Sequence, residues 1–187
     1  MFLYVYIPEE DSYFLSEIIE KELKLIINNK KKNLIFLDMG CGSCIQALKA
    51  SKFINKKNIF CVDIEKEAIK KAKELNFNSI RSNLFNNKRL KNRKYDIIAF
   101  NPPYLPCNKY DNEKDICGGE RGDEIILKFL DQAKKYLRRS GIIFLLFSSL
   151  TPKKRIINKI KKYYEIEKIY KKNLFMETLF IYKLLLK

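Results

Sequence analysis

The amino-acid sequence predicts an α/β fold, doubly wound around a mostly parallel sheet. Three observations carry that expectation. Short apolar runs of strand length alternate with amphipathic helical stretches along most of the 187 residues, the signature of strand and helix units wound into one sheet. The first run ends in a glycine turn, Leu37-Asp38-Met39-Gly40-Cys41-Gly42. Polar residues able to hold a ligand, Asp38, Asp63 and Asn101, stand at or near the ends of successive runs, where open parallel sheets place their binding crevice.

Residues 13–29 bring Leu15, Ile18, Ile19, Leu23, Ile26 and Ile27 to near-helical spacing, with Asp11 or Ser12 as the expected cap. Residues 30–33 break that pattern. Runs 34–39, 58–64, 79–84, 95–100 and 141–147 are the expected strands, with helices at 45–53, 65–75 and 124–137. Pro152 opens a further helix carrying Ile156, Ile157 and Ile160 on one face, and residues 178–186 form a long apolar closing strand. The whole reads as a single domain, 1–187, in which 1–30 is an N-terminal helical extension.

A chain of this length buries about two thirds of the surface its unfolded form exposes, so one well-formed core is expected. No apolar stretch reaches the roughly 20 residues of a membrane span, and the start, Met1 to Tyr6, lacks the basic end and cleavage site of a secretory leader. A cytoplasmic location without membrane contact is the expectation. Five cysteines, an odd number, fit a reducing compartment better than a disulfide framework. The net charge of +16 would suit a polyanion. Its lysine pairs, such as Lys56-Lys57, Lys70-Lys71, Lys134-Lys135 and Lys161-Lys162, are nevertheless spread along the whole chain, which favours a solvated surface over a nucleic-acid groove.

The chemistry is concentrated in two motifs. Gly40 and Gly42 let a backbone approach a ligand closely, the helix that follows offers its N-terminal amides, and Asp63 ends the next strand where such folds place an acid on ribose hydroxyls. Asp63 also precedes a helix and could serve as an ordinary cap. A dinucleotide site would need a further glycine at Ile45 and has no place for Asp38 before the first glycine. The second motif, Asn101-Pro102-Pro103-Tyr104, follows a buried strand. Two prolines make a stiff lip, Asn101 and the lip carbonyls can accept both hydrogens of an NH2 group, and Tyr104 gives a flat face to stack on. Together the motifs imply methyl transfer to a planar nitrogen.

On these residues the chain resembles the class I S-adenosylmethionine-dependent methyltransferases, and within them the HemK-type enzymes that methylate glutamine in class I translation termination (release) factors. The similarity is to their short archaeal and eukaryotic branch. Val5-Tyr6-Ile7-Pro8-Glu9-Glu10-Asp11-Ser12 is similar to its opening motif, Gly118-Gly119 with Gly122 to its glycine-rich loop, and Glu177-Thr178-Leu179 to its final strand. The resemblance covers nearly the whole chain and leaves out the separate N-terminal domain of the bacterial enzymes. It implies a seven-stranded Rossmann-like sheet whose last strand is antiparallel, and S-adenosyl-L-methionine held by Ser12, Asp38, Gly40, Gly42, Asp63, Asn83, Leu84 and Asn101. It implies catalysis by Asn101, Pro102, Pro103 and Tyr104, with no metal. It also implies a small zinc-containing activator subunit, pairing along a sheet edge to form a heterodimer; 79–84 is the expected edge strand.

Two departures stand out. Cys44 replaces the family's third glycine, and Asn83 replaces the acid expected on the adenine amine. Both predict weaker cofactor binding, although an asparagine carbonyl still accepts one hydrogen bond. They leave open a non-catalytic subunit with the same fold, and the lip leaves open an adenine-N6 methyltransferase acting on RNA or DNA. Cys41 and Cys44 form a C-x-x-C that Cys107 and Cys117 could complete as a zinc site only if their loop covered the turn. The glycines at 118, 119 and 122 are expected to let another backbone, such as a substrate loop, come close.

Overall fold

The structure, a computed structural model, describes residues 8–28, 33–107 and 117–187. In chain order its elements are α1 (Glu10–Asn28), β1 (Phe36–Met39), α2 (Ile45–Ala50), β2 (Ile59–Asp63), α3 (Lys66–Glu74), β3 (Asn78–Arg81), β4 (Tyr95–Phe100), α4 (Glu124–Ala133), β5 (Leu137–Ser148), α5 (Lys153–Tyr163), β6 (Tyr164–Asn173) and β7 (Thr178–Leu186). The seven strands lie in the order β3-β2-β1-β4-β5-β7-β6. β1 to β5 pair in parallel, and β7 runs antiparallel to both of its neighbours. Asp38 pairs in register with Cys61 of β2 and Ala99 of β4, so β1 sits between the two strand ends that carry the motifs.

Period-two alternation divides the core into two layers. On one face, Leu37, Ile98, Phe100, Leu145 and Tyr182 meet Ile126, Phe129 and Leu130 of α4 and Ile156 and Ile160 of α5. On the other, Phe36, Ile97, Phe144 and Ile181 meet Leu15, Ile19 and Leu23 of α1, Ala47 of α2, and Ala68 and Ala72 of α3. β1 and β4 are buried along their whole length. This is why they read as continuous apolar runs.

The sequence missed one element and misplaced several ends: α4 stops at Ala133 instead of 137, β5 starts at Leu137 instead of 141, β3 ends at Arg81 instead of 84, and α1 starts before its expected cap. β6 carries a register shift between Ile166 and Lys168 and is mostly exposed, so its apolar positions are too few and out of phase to signal a strand. Charged residues there suit an outer edge, and β3, the expected edge strand, borders the sheet on the opposite side. Asp11 and Ser12 do not precede α1. They lie within its first turn and are buried, because their side chains are used by the site described below.

α1 is pinned across the sheet by a buried ion pair. Lys183 Nζ lies 2.7 Å from Glu22 Oε2 and 3.0 Å from Glu167 Oε1, and the Tyr170 hydroxyl donates to Glu22. Burial opposes ionisation of Glu22, yet Lys183 and Tyr170 hold its carboxyl below the ordinary glutamate range. Among the described residues no helix is long and apolar enough to cross a membrane.

Candidate active site

The glycine turn is fixed by backbone bonds before any ligand arrives. Cys41 N–H donates to the Val62 carbonyl at 3.1 Å, and Gly42 N–H donates to Asp63 Oδ2 at 2.9 Å. Asp63 Oδ1 accepts from Glu65 N–H at 2.8 Å, so one carboxylate ties the turn to the start of α3 and keeps lone pairs to spare. Burial raises the Asp63 carboxyl, opposed by those two backbone bonds. Gly40 has φ +63°, and a Cβ there would stand 3.3 Å from the Phe100 ring. A side chain would be strained by conformation and crowded by the end of β4.

Ser12, Gly40, Gly42, Asp63, Asn83, Leu84, Asn101, Pro102, Pro103 and Tyr104 all line one cavity of about 510 Å³, within the range of small-molecule sites. Asp38 is not among its lining residues. It is buried, with its Oδ2 accepting from Ala47 N–H at 3.0 Å, and burial pushes its carboxyl well up. Its observed bond holds α2 against the turn.

The lip is where the site becomes specific. Asn101 Nδ2 donates to Asp11 Oδ2 at 3.0 Å and to Ser12 Oγ at 3.1 Å. A carboxylate can only accept, so Asp11 sets which end of the amide faces it. Asn101 Oδ1 is left buried with no partner among the described residues. The Tyr104 hydroxyl also reaches Asp11 Oδ2, at 3.4 Å, and Thr151 Oγ1 pins the Tyr104 carbonyl at 3.0 Å. Asp11, expected from the sequence only as a helix cap, is the residue that orients the Asn101 amide in the structure. Its place beside Ser12 in the opening motif was the available signal.

Six buried side-chain atoms lack a partner among the described residues, and three of them, Asn101 Oδ1, Gln46 Oε1 and Ser82 Oγ, belong to residues lining this cavity. Unsatisfied polar atoms are rare in folded proteins, and their concentration here marks groups kept for a ligand. Acceptors beside the apolar Met39, Val62, Leu84 and Ile125 suit a cofactor with an adenine ring, hydroxyls and a charged amino-acid end.

Residues 10–176 match the methyltransferase small domain family. The chain belongs to that family. A Methanocaldococcus jannaschii relative, named as a candidate protein N5-glutamine methyltransferase, is 37% identical over 168 residues, covering 84% of this chain and 79% of its own. The eRF1 methyltransferase catalytic subunit mtq2 of Schizosaccharomyces pombe is 28% identical over 165 residues, covering 75% and 71%. Among solved structures, the E. cuniculi Mtq2–Trm112 complex, responsible for methylation of the eRF1 termination factor, superposes with a TM-score of 0.73. Identity is 24%, with 97% of this chain and 98% of that one covered, which establishes the shared fold.

Within this methyltransferase fold the cysteines depart from the four-thiol zinc alternative. Cys107 and Cys117 form a disulfide, so the reading of cysteines without a disulfide is corrected by one bridge. Cys41 and Cys44 are instead joined by Cys61 of β2, and the three buried sulfurs lie within 4.8 Å of one another. The neighbouring thiols of Cys41 and Cys61 donate hydrogen bonds that hold Cys44 down, while Cys41 is pushed up. Cys44 takes φ 64°, a left-handed conformation that glycine adopts without penalty and that costs another residue about 1–2 kcal/mol.

The glycine-rich loop lies against the lip. A Cβ on Gly118 would lie 2.7 Å from the Pro103 carbonyl, and one on Gly122 would lie 2.6 Å from the Tyr104 carbonyl. Both glycines let the chain's own lip come close. Gly118 N–H donates to the Leu105 carbonyl at 3.0 Å and Cys107 N–H to the Gly119 carbonyl at 3.0 Å, which braces the lip from behind.

Proposed function

We propose that this chain is a single-domain, cytoplasmic S-adenosylmethionine-dependent methyltransferase that modifies N5 of the glutamine in the Gly-Gly-Gln loop of a class I termination factor. The observation that carries the reading is Asn101: its NH2 is consumed by Asp11 and Ser12, and its Oδ1 is left over in the cavity wall. Similarity to a candidate N5-glutamine methyltransferase and to an eRF1 methyltransferase subunit supports the same target. The Mtq2–Trm112 neighbour supports a small activator subunit as heterodimer partner, and zinc in that subunit is part of the proposal.

Ser12, Gly40, Gly42, Asp63, Asn83 and Leu84 would hold the cofactor, with Asp38 acting from behind through α2. When bound, the cofactor supplies a methyl group on a sulfonium, ready for transfer. The chain's own task is the acceptor. A carboxamide nitrogen is a weak nucleophile because its lone pair is shared with the carbonyl. Asn101 Oδ1 and the Pro102 carbonyl accept its two N–H groups, and the Tyr104 ring packs on the amide plane, which turns the nitrogen toward the reacting carbon. Asp11 holds Asn101 and Tyr104 in one arrangement, so the site needs no reorganisation at the moment of transfer.

The lining of the cavity argues for a protein over a nucleic acid. Despite the net charge of +16, Glu9, Asp11, Glu65 and Glu177 line the cavity, and acidic walls repel phosphate. Labelled methyl transfer to purified termination factor, compared with a version whose acceptor glutamine is alanine, tests the reading. Label that depends on the glutamine is the expected result. Label on RNA or DNA, or on neither protein even with the activator present, would overturn it.

A further inference from the structure

The turn between β6 and β7 carries the most exposed large apolar side chains among the described residues. Phe175 is 101% exposed and Met176 83%. The turn that presents them is built, since Leu174 N–H donates to the Glu177 carbonyl at 2.8 Å and Leu174 packs on the α1 side of the core. Neither side chain has a folding role that would account for its apolar character. Large apolar groups held out by an ordered turn are a mark of an interaction surface.

Position identifies the occupant. Leu174 and Glu177, at the two ends of this turn, line a cleft of about 450 Å³ together with Tyr13, 51% exposed, and Tyr104. Tyr104 and Glu177, with Glu9 and Asp11, also line the acceptor cavity, so cleft and cavity share a wall. Whatever rests on Phe175 and Met176 sits beside the route to Asn101. A permanently seated subunit or second copy would obstruct that route, whereas a macromolecular substrate must touch the rim as it inserts its acceptor residue.

We infer that the Phe175–Met176 turn is a docking anchor for the body of the protein substrate, gripping it outside the cavity while the acceptor side chain reaches Asn101. This rests on the protein-glutamine reading above. An aromatic ring and a flexible thioether suit the purpose, because the first offers much area at little entropy and the second adapts to an uneven partner. Anchoring outside the cavity raises affinity for the whole substrate and adds nothing to a short peptide.

The test is the double variant Phe175→Ser, Met176→Ser, assayed with whole termination factor and with a short Gly-Gly-Gln peptide, with and without the activator subunit. The expected result is a roughly 10–100-fold loss of kcat/KM on the whole factor, carried by KM. Turnover of the peptide, cofactor affinity and melting temperature stay at wild-type values. Equal activity of variant and wild type on the whole factor overturns the anchor and leaves the glutamine reading standing. An equal loss on factor and peptide also overturns it, as does a change only in activator binding or oligomeric state. Failure of the wild type to label the factor sinks the glutamine reading first, and the anchor with it.

Discussion

The cavity wall and the junction between α1 and β7 bury polar groups about equally deeply and treat them in opposite ways. At the junction, Glu22 meets both Lys183 and Tyr170, and Lys183 reaches a second carboxylate, Glu167. At the cavity, Asn101, Gln46 and Ser82 each keep an atom unpaired among the described residues, Leu84 holds left-handed backbone at φ 50°, and Cys44, in the turn behind the lining, does so at φ 64°. The junction satisfies its own demands and is structural. The cavity leaves groups unsatisfied and residues strained, as a binding site does at some expense of stability.

The sharpest way to break this comparison is to damage each region and see whether stability and activity separate. Lys183→Ala leaves buried Glu22 with the Tyr170 hydroxyl and only the weaker pull of Lys168, and stripping one partner from a buried pair costs about 3–5 kcal/mol. The melting temperature is expected to fall by roughly 10 °C in a chain of this size, with cofactor affinity per folded molecule unchanged. Asn101→Ala should do the reverse. Loss of an acceptor that acts in the transition state slows transfer about 100–1000-fold, while melting temperature and cofactor affinity move little. If Asn101→Ala retained near-normal turnover, the cavity's unpaired oxygen would have no catalytic meaning.

The same contrast explains what was legible in the sequence. β1 and β4 are buried on both faces, so their apolar runs were unmistakable, and the turn and lip that follow them stood out by residue type alone and line one cavity. β6 was not legible, because an edge strand with a register shift and alternating charges has no reason to display a clean apolar period. Asp11 was misread because a cap and a partner for a residue 90 positions away look identical locally. Cys61 could not be joined to the C-x-x-C without the β1–β2 pairing, and nothing in the spacing of Cys107 and Cys117 showed that they bond to each other. For Asp11 and Cys61 the missing information was a long-range contact.

A smaller effect sharpens the boundary between the two regions. Gly122 has φ +82° and carries no side chain of its own, yet it sits against the back of the lip. Gly122→Ala introduces a Cβ 2.6 Å from the Tyr104 carbonyl, and the left-handed backbone adds about 1–2 kcal/mol of strain. The loop must shift, and the lip shifts with it. Stability is expected to fall by that amount while transfer falls roughly tenfold, since small displacements of positioning groups are amplified in rate. Unchanged activity in this variant would show that the lip holds its shape without the glycine loop.

The smallest effect concerns pH, and the two regions should respond with opposite sign. Glu22 has a depressed carboxyl in the fold, so its stabilisation is present above the ordinary glutamate range and is lost as pH falls through the depressed value. Asp63 has a raised carboxyl, so its ionised form opposes folding at neutral pH, and that opposition lifts as pH falls through the raised value. A cofactor hydroxyl that donates to the Asp63 carboxylate loses its acceptor over that higher window. On titration from about pH 7 toward about pH 4, across the usual carboxylate range, cofactor affinity should weaken before melting temperature declines. Calorimetry and thermal melts on the same samples give the order. Stability failing first would mean that the junction, and not the cavity, holds the more fragile acid.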